Sequence, residues 1–540
     1  MTNRTRTDVL LMAGFCAFLF FYGAGQFGLV GADEPRYAQV AREMLERRDW
    51  ITPVLNGRPW LEKPPLYYWQ AMLAYSVLGV TDVAARFPGA IDATLLVLAV
   101  YLFFRRFRRG VEVDAALITA SCAGVIAYAH AASMDMALAT AFSLGMLAWW
   151  AWRESQKRIF LATFYVLMAL GMLAKGPVAP LLAGAVIVIF ALLTREPRVV
   201  LRTLWLPGIL LFCIVAVPWY VAVQMRNPQF FREFILQHNL ARFSSDLYHH
   251  RQPFWFYLPV TALVLMPWTV FAVAALVRSL RVWWAERNSV SAEPELELQF
   301  SVFASCWLIV PLVFFSISQS KLPGYILPAI PAGAILLADY LLQHNEHEKD
   351  QPISKWLVVL HALVASAPIV PALLIAYTVT EHRLPAGRPM LIALAIAFVL
   401  CAAIALTLAS RFRLRMLRFV TLIPVVLSVA AVLKLGTTSI DQTLSARPLA
   451  MEIASVQTHQ LPLAVYGVSR EMEYGLTFYR NQIIMRYEAG SVPIVEHLLV
   501  APSTWKVNVA QQTVGRHVSF LGTYAPQNVD YYWVSAAGPR

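Results

Sequence analysis

Apolar stretches long enough to cross a bilayer recur along this chain from residue 9 to residue 437, with only short breaks between them. A hydrocarbon core about 30 Å thick takes about 20 residues of helix to cross, so the pattern predicts a bundle of spans rather than an anchor. Read as helices, the runs fall near 9–30, 83–104, 111–131, 134–152, 159–174, 177–193, 203–224, 254–277, 300–318, 323–343, 356–378, 389–410 and 417–437, about thirteen in all. Hydrophobic residues are 59% of the 540 and charged residues 14%, an apolar excess that no ordinary soluble core absorbs. The first run follows Thr2-Asn3-Arg4-Thr5-Arg6-Thr7, a start like that of a signal peptide. Its length and the lack of a small-x-small cleavage pattern predict a retained helix. Cys16, Cys122, Cys213, Cys306 and Cys401 all lie inside predicted spans, which excludes a disulfide framework or a CxxC metal cluster.

The net charge of +12 is large enough to raise nucleic acid as a partner, but its placement reads as topology, with no nucleic-acid role. Every second connection is short and basic: Arg105-Arg106-Phe107-Arg108-Arg109; Arg153 with Lys157-Arg158; Arg195, Arg198 and Arg202; Arg278, Arg281 and Arg287; Lys349 and Lys355; Arg411, Arg413, Arg415 and Arg418. The positive-inside rule puts these and the N-terminus in the cytoplasm. Segments 31–82, 132–135, 175–176, 225–253, 319–322, 379–388 and everything after Lys434 then face outward. Pro35 suits a first helical turn, and Tyr37, Val40, Ala41, Met44 and Leu45 recur at helical spacing opposite Arg42, Glu43, Glu46 and Arg47. This predicts an amphipathic helix on the membrane surface, and 225–253 is expected to carry another. Leu66–Gly79 is too short to span comfortably and is expected to lie in the interface or re-enter.

Beyond residue 437 the pattern becomes soluble. Strands are expected over Leu463–Val468, Ile483–Tyr487, His497–Val500 and Tyr531–Val534, with a helix over Met472–Arg480. The fold class is therefore an all-α polytopic membrane domain over 1–437 and a small α/β domain over 438–540 on the outer face.

The outer segments hold the unusual polar residues. Asp33-Glu34-Pro35-Arg36-Tyr37 puts two carboxylates at a helix N-terminus, where capping explains either acid taken alone and catalysis is the sharper reading. Asn56-Gly57-Arg58-Pro59-Trp60-Leu61-Glu62-Lys63-Pro64-Pro65 is either a solvated loop or a proline-stiffened phosphate reader built on Arg58 and Lys63. Asp135 lies at or just inside the outer boundary, where an ionisable group is read as functional. Lys175 and Lys321 sit at helix ends beside prolines, next to Tyr325, where snorkelling explains either lysine alone. His238, Arg242, His249, His250 and Arg251 add polar and cationic groups, and Phe254 and Trp255 an aromatic belt. Together, cations around Asp33 and Asp135 at head-group level suit a lipid-linked phosphate.

These residues resemble the aminoarabinose transferases acting on lipid A, within the membrane glycosyltransferases that include the protein O-mannosyltransferases. The resemblance rests on Asp33-Glu34-Pro35-Arg36-Tyr37-Ala38, Arg42-Glu43-Met44-Leu45, Asp49-Trp50, Glu62-Lys63-Pro64, Lys175-Gly176, His238 with Arg242-Phe243, Pro253-Phe-Trp-Phe-Tyr257 and Lys321-Leu-Pro323 with Tyr325-Ile-Leu327. It implies a glycosyltransferase-C fold of thirteen helices in a bacterial inner membrane, with a periplasmic site. The implied donor is aminoarabinose on undecaprenyl phosphate, the acceptor a lipid A phosphate, and the consequence resistance to polymyxin and cationic peptides. The tail after residue 437 matches poorly, which leaves the acceptor least determined.

Such a transfer needs an oxocarbenium-like transition state and the departure of a phosphate. Lys63 and Arg251 are assigned to that phosphate, with Arg58 and Tyr325 in support, and Asp33 and Asp135 to the sugar. A phosphate acceptor is already anionic, so a strong base is dispensable and attack inverts the anomeric carbon. A serine or threonine acceptor would require Asp33 as a true base. No cofactor is expected to be essential; the resemblance allows a divalent metal such as zinc on Glu62 with His249 or His250. A flippase or transporter, a reading from another class, would place ionisable or broken-helix sites near the midplane. The clearest deep acid, Asp92, reads instead as a helix–helix hydrogen bond.

Overall fold

The computed structural model describes residues 3–234, 252–286, 296–346, 354–367, 417–490 and 492–536. Its residues group into two compact units, one of 1–22, 61–67 and 87–432, the other of 23–60, 68–86 and 433–540.

The described residues hold six helices long and apolar enough to cross a membrane: Asp82–Phe107, Met134–Ser155, Arg158–Lys175, Leu206–Arg226, Leu296–Ile317 and Pro323–His344. The number rises to nine if each bent pair counts as one span. The chain is a multi-pass membrane protein. Two predicted spans of the first unit are bent. Residues 111–131 break at Cys122 by 63°, and 254–277 turns through 117° between Val264 and Thr269, around Pro267, which has no N–H to continue a helix. The span expected over 177–193 is the shorter helix Val178–Leu193. The span expected over 9–30 instead runs Asn3–Cys16 and on as a π-helix through Phe21, and ends before Gly23, whose φ of +82° is incompatible with helix. The span expected at 389–410, and residues 368–378 of that expected at 356–378, lie outside the described residues.

The first unit is centred on interlocked aromatics. Trp149 stacks on Phe303 at 5.2 Å, and Trp150 meets Phe300 and Phe303 at 5.1 Å each. Trp307 Nε1 donates to the Pro328 carbonyl at 2.9 Å, so that even the indole N–H is satisfied at depth. Over their most apolar stretches Met134–Ser155 and Pro323–His344 are 89% buried, against 22% for Leu206–Arg226. The two innermost helical segments thus carry Asp135 and Tyr325. Arg108, expected in a solvated basic loop, is instead buried between Glu154 at 3.6 Å and Asp339 at 3.8 Å, over the Phe300 ring.

In the second unit five strands, β3 (Leu463–Val465), β4 (Met485–Arg486), β5 (His497–Pro502), β6 (Val518–Tyr524) and β7 (Val529–Val534), pair in the order β4-β3-β5-β7-β6. β3 runs parallel to β4 and β5, while the β5–β7 and β7–β6 pairs are antiparallel. Alternation decides the two faces: Leu463, Val465, Leu498 and Val500 pack with Leu449, Ile453 and Leu476, whereas Ala464, Leu499 and Ala501 pack with Val509. β6 has no counterpart in the sequence reading, because it is a largely exposed edge strand with a register shift between Phe520 and Gly522.

The same unit contains the helix Asp33–Arg47 and the hairpin of β1 (Val54–Leu55) and β2 (Arg58–Pro59). A helix on a membrane surface would leave its polar face in water, but here Gln39, Arg42 and Glu43 are as buried as Val40 and Ala41. Arg42 donates to the Phe478 carbonyl at 2.7 Å and stacks on its ring, and Glu43 accepts the Asn56 and Gly57 amides at 2.8 and 3.0 Å. The first part of the polar face is therefore packed by protein, while Glu46 and Arg47 are exposed.

Arg86 organises the neighbouring loop. It is 1% exposed and donates to the carbonyls of Ala24, Phe27 and Gly28 at 2.7–2.9 Å and to Glu34 Oε2 at 2.7 Å. Arg447, paired with Asp82 and Asp441, reaches the carbonyls of Gly25 and Gln26, and Tyr479 bridges Asp82 and the Leu29 amide.

Arg86→Met removes the guanidinium from a buried carboxylate and is expected to cost about 3–5 kcal/mol, read as a lowered unfolding midpoint in detergent; Arg86→Lys should recover only part. A second expectation concerns His497, which is fully buried, donates from Nδ1 to Val495 O and accepts from the Tyr487 hydroxyl at 2.6 Å. Burial pushes its pKa below the usual value. The unfolded imidazole takes up a proton below about pH 6.5, so stability is full above that pH and declines as pH falls toward the lowered folded-state value. The protection of β5 amides, taken relative to their intrinsic exchange rate at each pH, should fall between about pH 7.5 and about pH 5.5, and less so in His497→Gln.

Candidate functional site

In the first unit Asp135 sits in the opening turn of Met134–Ser155, where the Ser133 hydroxyl accepts its amide at 3.3 Å. The carboxylate thus meets the positive end of the helix dipole and also pairs with Lys175, the last residue of Arg158–Lys175. Both side chains are under one-fifth exposed, 19% and 17%. The Lys175 ammonium lies 4.6 Å from the Tyr325 ring centroid, and that ring packs on Phe315. An anionic oxygen, a cation and a phenol are therefore gathered where Met134–Ser155, Arg158–Lys175 and the 3-10 turn Pro323–Ala329 meet. Pairing with Lys175 fixes where the Asp135 carboxylate points.

Two tyrosines join this cluster. Tyr257 donates to the Leu322 carbonyl at 3.1 Å, and Tyr128 lies so close to Gly324 that a Cβ there would meet its hydroxyl at 2.5 Å. Tyr128 has no sequence signature, since the contact joins segments almost 200 residues apart.

Lys321 lies at the turn before Pro323. It is 6% exposed, and its ammonium donates to Ser318 O at 2.6 Å and Gln252 O at 3.1 Å, which makes it a clamp on the turn before Pro323. Lys63 is buried in the Glu62-Lys63-Pro64-Pro65 turn of the first unit.

In the second unit Asp33 is 54% exposed and pairs with Arg36 one helical turn on. The Arg36 guanidinium lies among Tyr37, Trp60 and Tyr474, 5.0, 5.2 and 5.6 Å from their centroids. Stacking on all three fixes the cation that orients Asp33. Glu34, grouped with Asp33 in the sequence, is turned away: it is buried against Arg86 and accepts the Val30 amide at 2.9 Å, so it holds the fold. Arg58 is exposed on β2. Its loop is a tight hairpin with Asn56 and Gly57 at φ of 53° and 76°, the Asn-Gly turn signal that a loop reading passes over. Arg86 was hidden at the start of an apolar run, and Tyr474 in a helix more than 400 residues from Arg36.

His238, Arg242, His249, His250 and Arg251 lie outside the described residues. Among the described residues no three His, Cys, Asp or Glu side chains are grouped to hold a metal, Glu62 included.

Comparison with known proteins adds the family. The model for dolichyl-phosphate-mannose-protein mannosyltransferases matches residues 7–232. The undecaprenyl phosphate-α-4-amino-4-deoxy-L-arabinose arabinosyl transferase of Pseudomonas paraeruginosa is 32% identical over 63% of this chain, and the match spans 60% of that relative's length. The protein of the same name from an Enterobacter species is 30% identical over 77% of this chain and 74% of its own. The chain belongs to this arabinosyl transferase family. A crystal structure of ArnT from Cupriavidus metallidurans bound to undecaprenyl phosphate superposes with a TM-score of 0.72 at 24% identity, covering 98% of this chain and 99% of that one. This chain and that protein therefore share a fold.

Lys321→Met should release the turn before Pro323 at a cost of about 2 kcal/mol, the order of two hydrogen bonds from a charged donor after the loss of their desolvation. The expected readout is a lower unfolding midpoint in detergent, while Lys321→Arg retains most of it.

Proposed function

We propose that this protein transfers 4-amino-4-deoxy-L-arabinose from undecaprenyl phosphate to a phosphate of lipid A at the periplasmic face of a bacterial inner membrane. In this reading the N-terminus is cytoplasmic, the spans number thirteen, and residues 438–540 form a periplasmic α/β domain. Family membership supports the sugar, the lipid and the acceptor. The observation that carries the chemistry is the Asp135–Lys175 pair under Tyr325, a charged carboxylate at the end of a deeply buried helix.

As the bond to the departing phosphate stretches, positive charge grows at the anomeric carbon and negative charge on the phosphate. Asp135 faces the first. Lys175 fixes its position. Lys63 and Arg251 are assigned to the phosphate, with Tyr325 and Arg58 as supporting donors. Asp33, the more exposed of the carboxylates, orients a sugar amine or hydroxyl, and Arg36 sets its direction. A lipid A phosphate attacks as an anion and needs no strong base, and one displacement inverts the anomeric centre. The transfer is proposed to need no cofactor; a divalent metal such as zinc would draw on Glu62 with His249 or His250, and no step is routed through it.

The match to the protein mannosyltransferase model favours a second reading, the same donor chemistry with a hydroxyl acceptor. Mass spectrometry of lipid A from cells with and without the protein separates the two: a gain of one pentosamine is expected, and an unchanged lipid A with sugar on protein would favour the second. Asp135→Asn and Lys175→Met are each expected to lower transfer in membranes by about 100-fold or more. The double variant should lose little beyond either single one, since the pair acts as a unit. Wild-type rates in both would remove Asp135 from the mechanism.

A further inference from the structure

The second unit contains a cavity of about 390 Å³ between the helix Arg447–Ser455, residues 457–460 and the end of the helix Arg470–Arg480. One wall is apolar, formed by Ala450, Met451 and Ala454. The other presents hydrogen-bonding groups from Gln457, Thr458, His459 and Gln460, with Arg447 and Arg480 beside them.

The two arginines differ in a way that matters. Arg447 is neutralised by Asp82 and Asp441. Arg480 is 7% exposed, yet among the described residues no carboxylate lies within 4 Å of it. Among the described residues the guanidinium makes one hydrogen bond, a long 3.5 Å contact from Nη2 to the Leu461 carbonyl, and its Nε is buried with no partner there. Burial lowers the Arg480 pKa, which expresses the same cost, but a guanidinium stays charged under any ordinary condition. The buried Arg86, by contrast, pairs with Glu34, and the buried Arg42 donates at 2.7 Å to the Phe478 carbonyl. The position is also fixed: Gln460 Nε2 donates to the Arg480 carbonyl at 2.7 Å, tying the polar wall to the helix end.

We propose that this cavity is an anion site that takes a phosphate group, with Arg480 as its counter-charge and Thr458, Gln457 and Gln460 as flanking donors. A forked guanidinium matches two phosphate oxygens at once. The apolar wall beside it suits a phosphate attached to a larger, partly apolar molecule, as in the headgroup of a phosphorylated glycolipid. Free phosphate offers the same oxygens without that second contact.

The test uses the full chain in detergent and reads the unfolding midpoint and direct binding by titration. The probes are inorganic phosphate, a phosphorylated glucosamine glycolipid, and the same glycolipid without phosphate. A midpoint raised by the phosphorylated glycolipid and not by its neutral counterpart is expected, with inorganic phosphate binding at least tenfold more weakly. Equal binding of inorganic phosphate would support the site and name the free anion as its occupant. Arg480→Gln should weaken binding at least tenfold while leaving the ligand-free midpoint unchanged or higher, because it removes an uncompensated charge. Thr458→Asp, on an exposed residue where folding is not at stake, should weaken binding similarly by opposing the anion. No response of the wild type to either phosphorylated probe, or an undiminished response in Thr458→Asp, would overturn the proposal. These readouts do not depend on sugar transfer.

Discussion

The loop 24–28 has no regular secondary structure, and its backbone carbonyls depend on cations for partners. Arg86 supplies most of them: four of its donor contacts end on three main-chain oxygens and on Glu34. A carbonyl buried without a donor loses its hydration with no return, so the loop keeps its shape only while the guanidinium stays in place. Glu34 in turn fixes the first turn of Asp33–Arg47, which sets where Asp33 and Arg36 project. The position of an exposed acid thus traces back to a buried cation five residues into the helix Asp82–Phe107.

Inside the first unit the corresponding constraint is depth. Lipid offers no hydrophobic driving force between helices, so association rests on close packing and on satisfied polar groups. The Trp149, Trp150, Phe300 and Phe303 cluster provides the first. Asp135 and Lys175 provide an instance of the second at the ends of two adjoining helices, where the helix dipole shares the work of stabilising the acid. An ion pair in that setting holds its charge without the full penalty of midplane burial.

Much of this was legible in the sequence, for reasons that differ by element. Periodicity and length marked Asp82–Phe107, Met134–Ser155 and Leu296–Ile317 because apolar runs in lipid have few alternatives. The same rule fails at Pro267 and Gly23, where single residues break a run that composition reads as continuous. Asp33, Asp135 and Lys175 stood out as charges at helix ends, whereas the division of labour between Asp33 and Glu34 depends on Arg86, more than 50 residues away. Amphipathic spacing gave the buried face of Asp33–Arg47 correctly but said nothing of Phe478, whose ring and carbonyl cover Arg42. Contacts of that separation leave no local trace in sequence.

The hairpin at Asn56-Gly57 carries one more implication, for the chemical lifetime of the protein. Asparagine followed by glycine ages by cyclisation, in which the glycine nitrogen, after losing its proton, attacks the asparagine side-chain carbonyl. Here the Gly57 N–H donates to the Glu43 carboxylate at 3.0 Å. An anion held against that proton opposes its loss, and a nitrogen fixed in a tight turn is poorly placed to swing toward the side chain. The carboxylate that shapes the turn therefore also shields its most perishable bond.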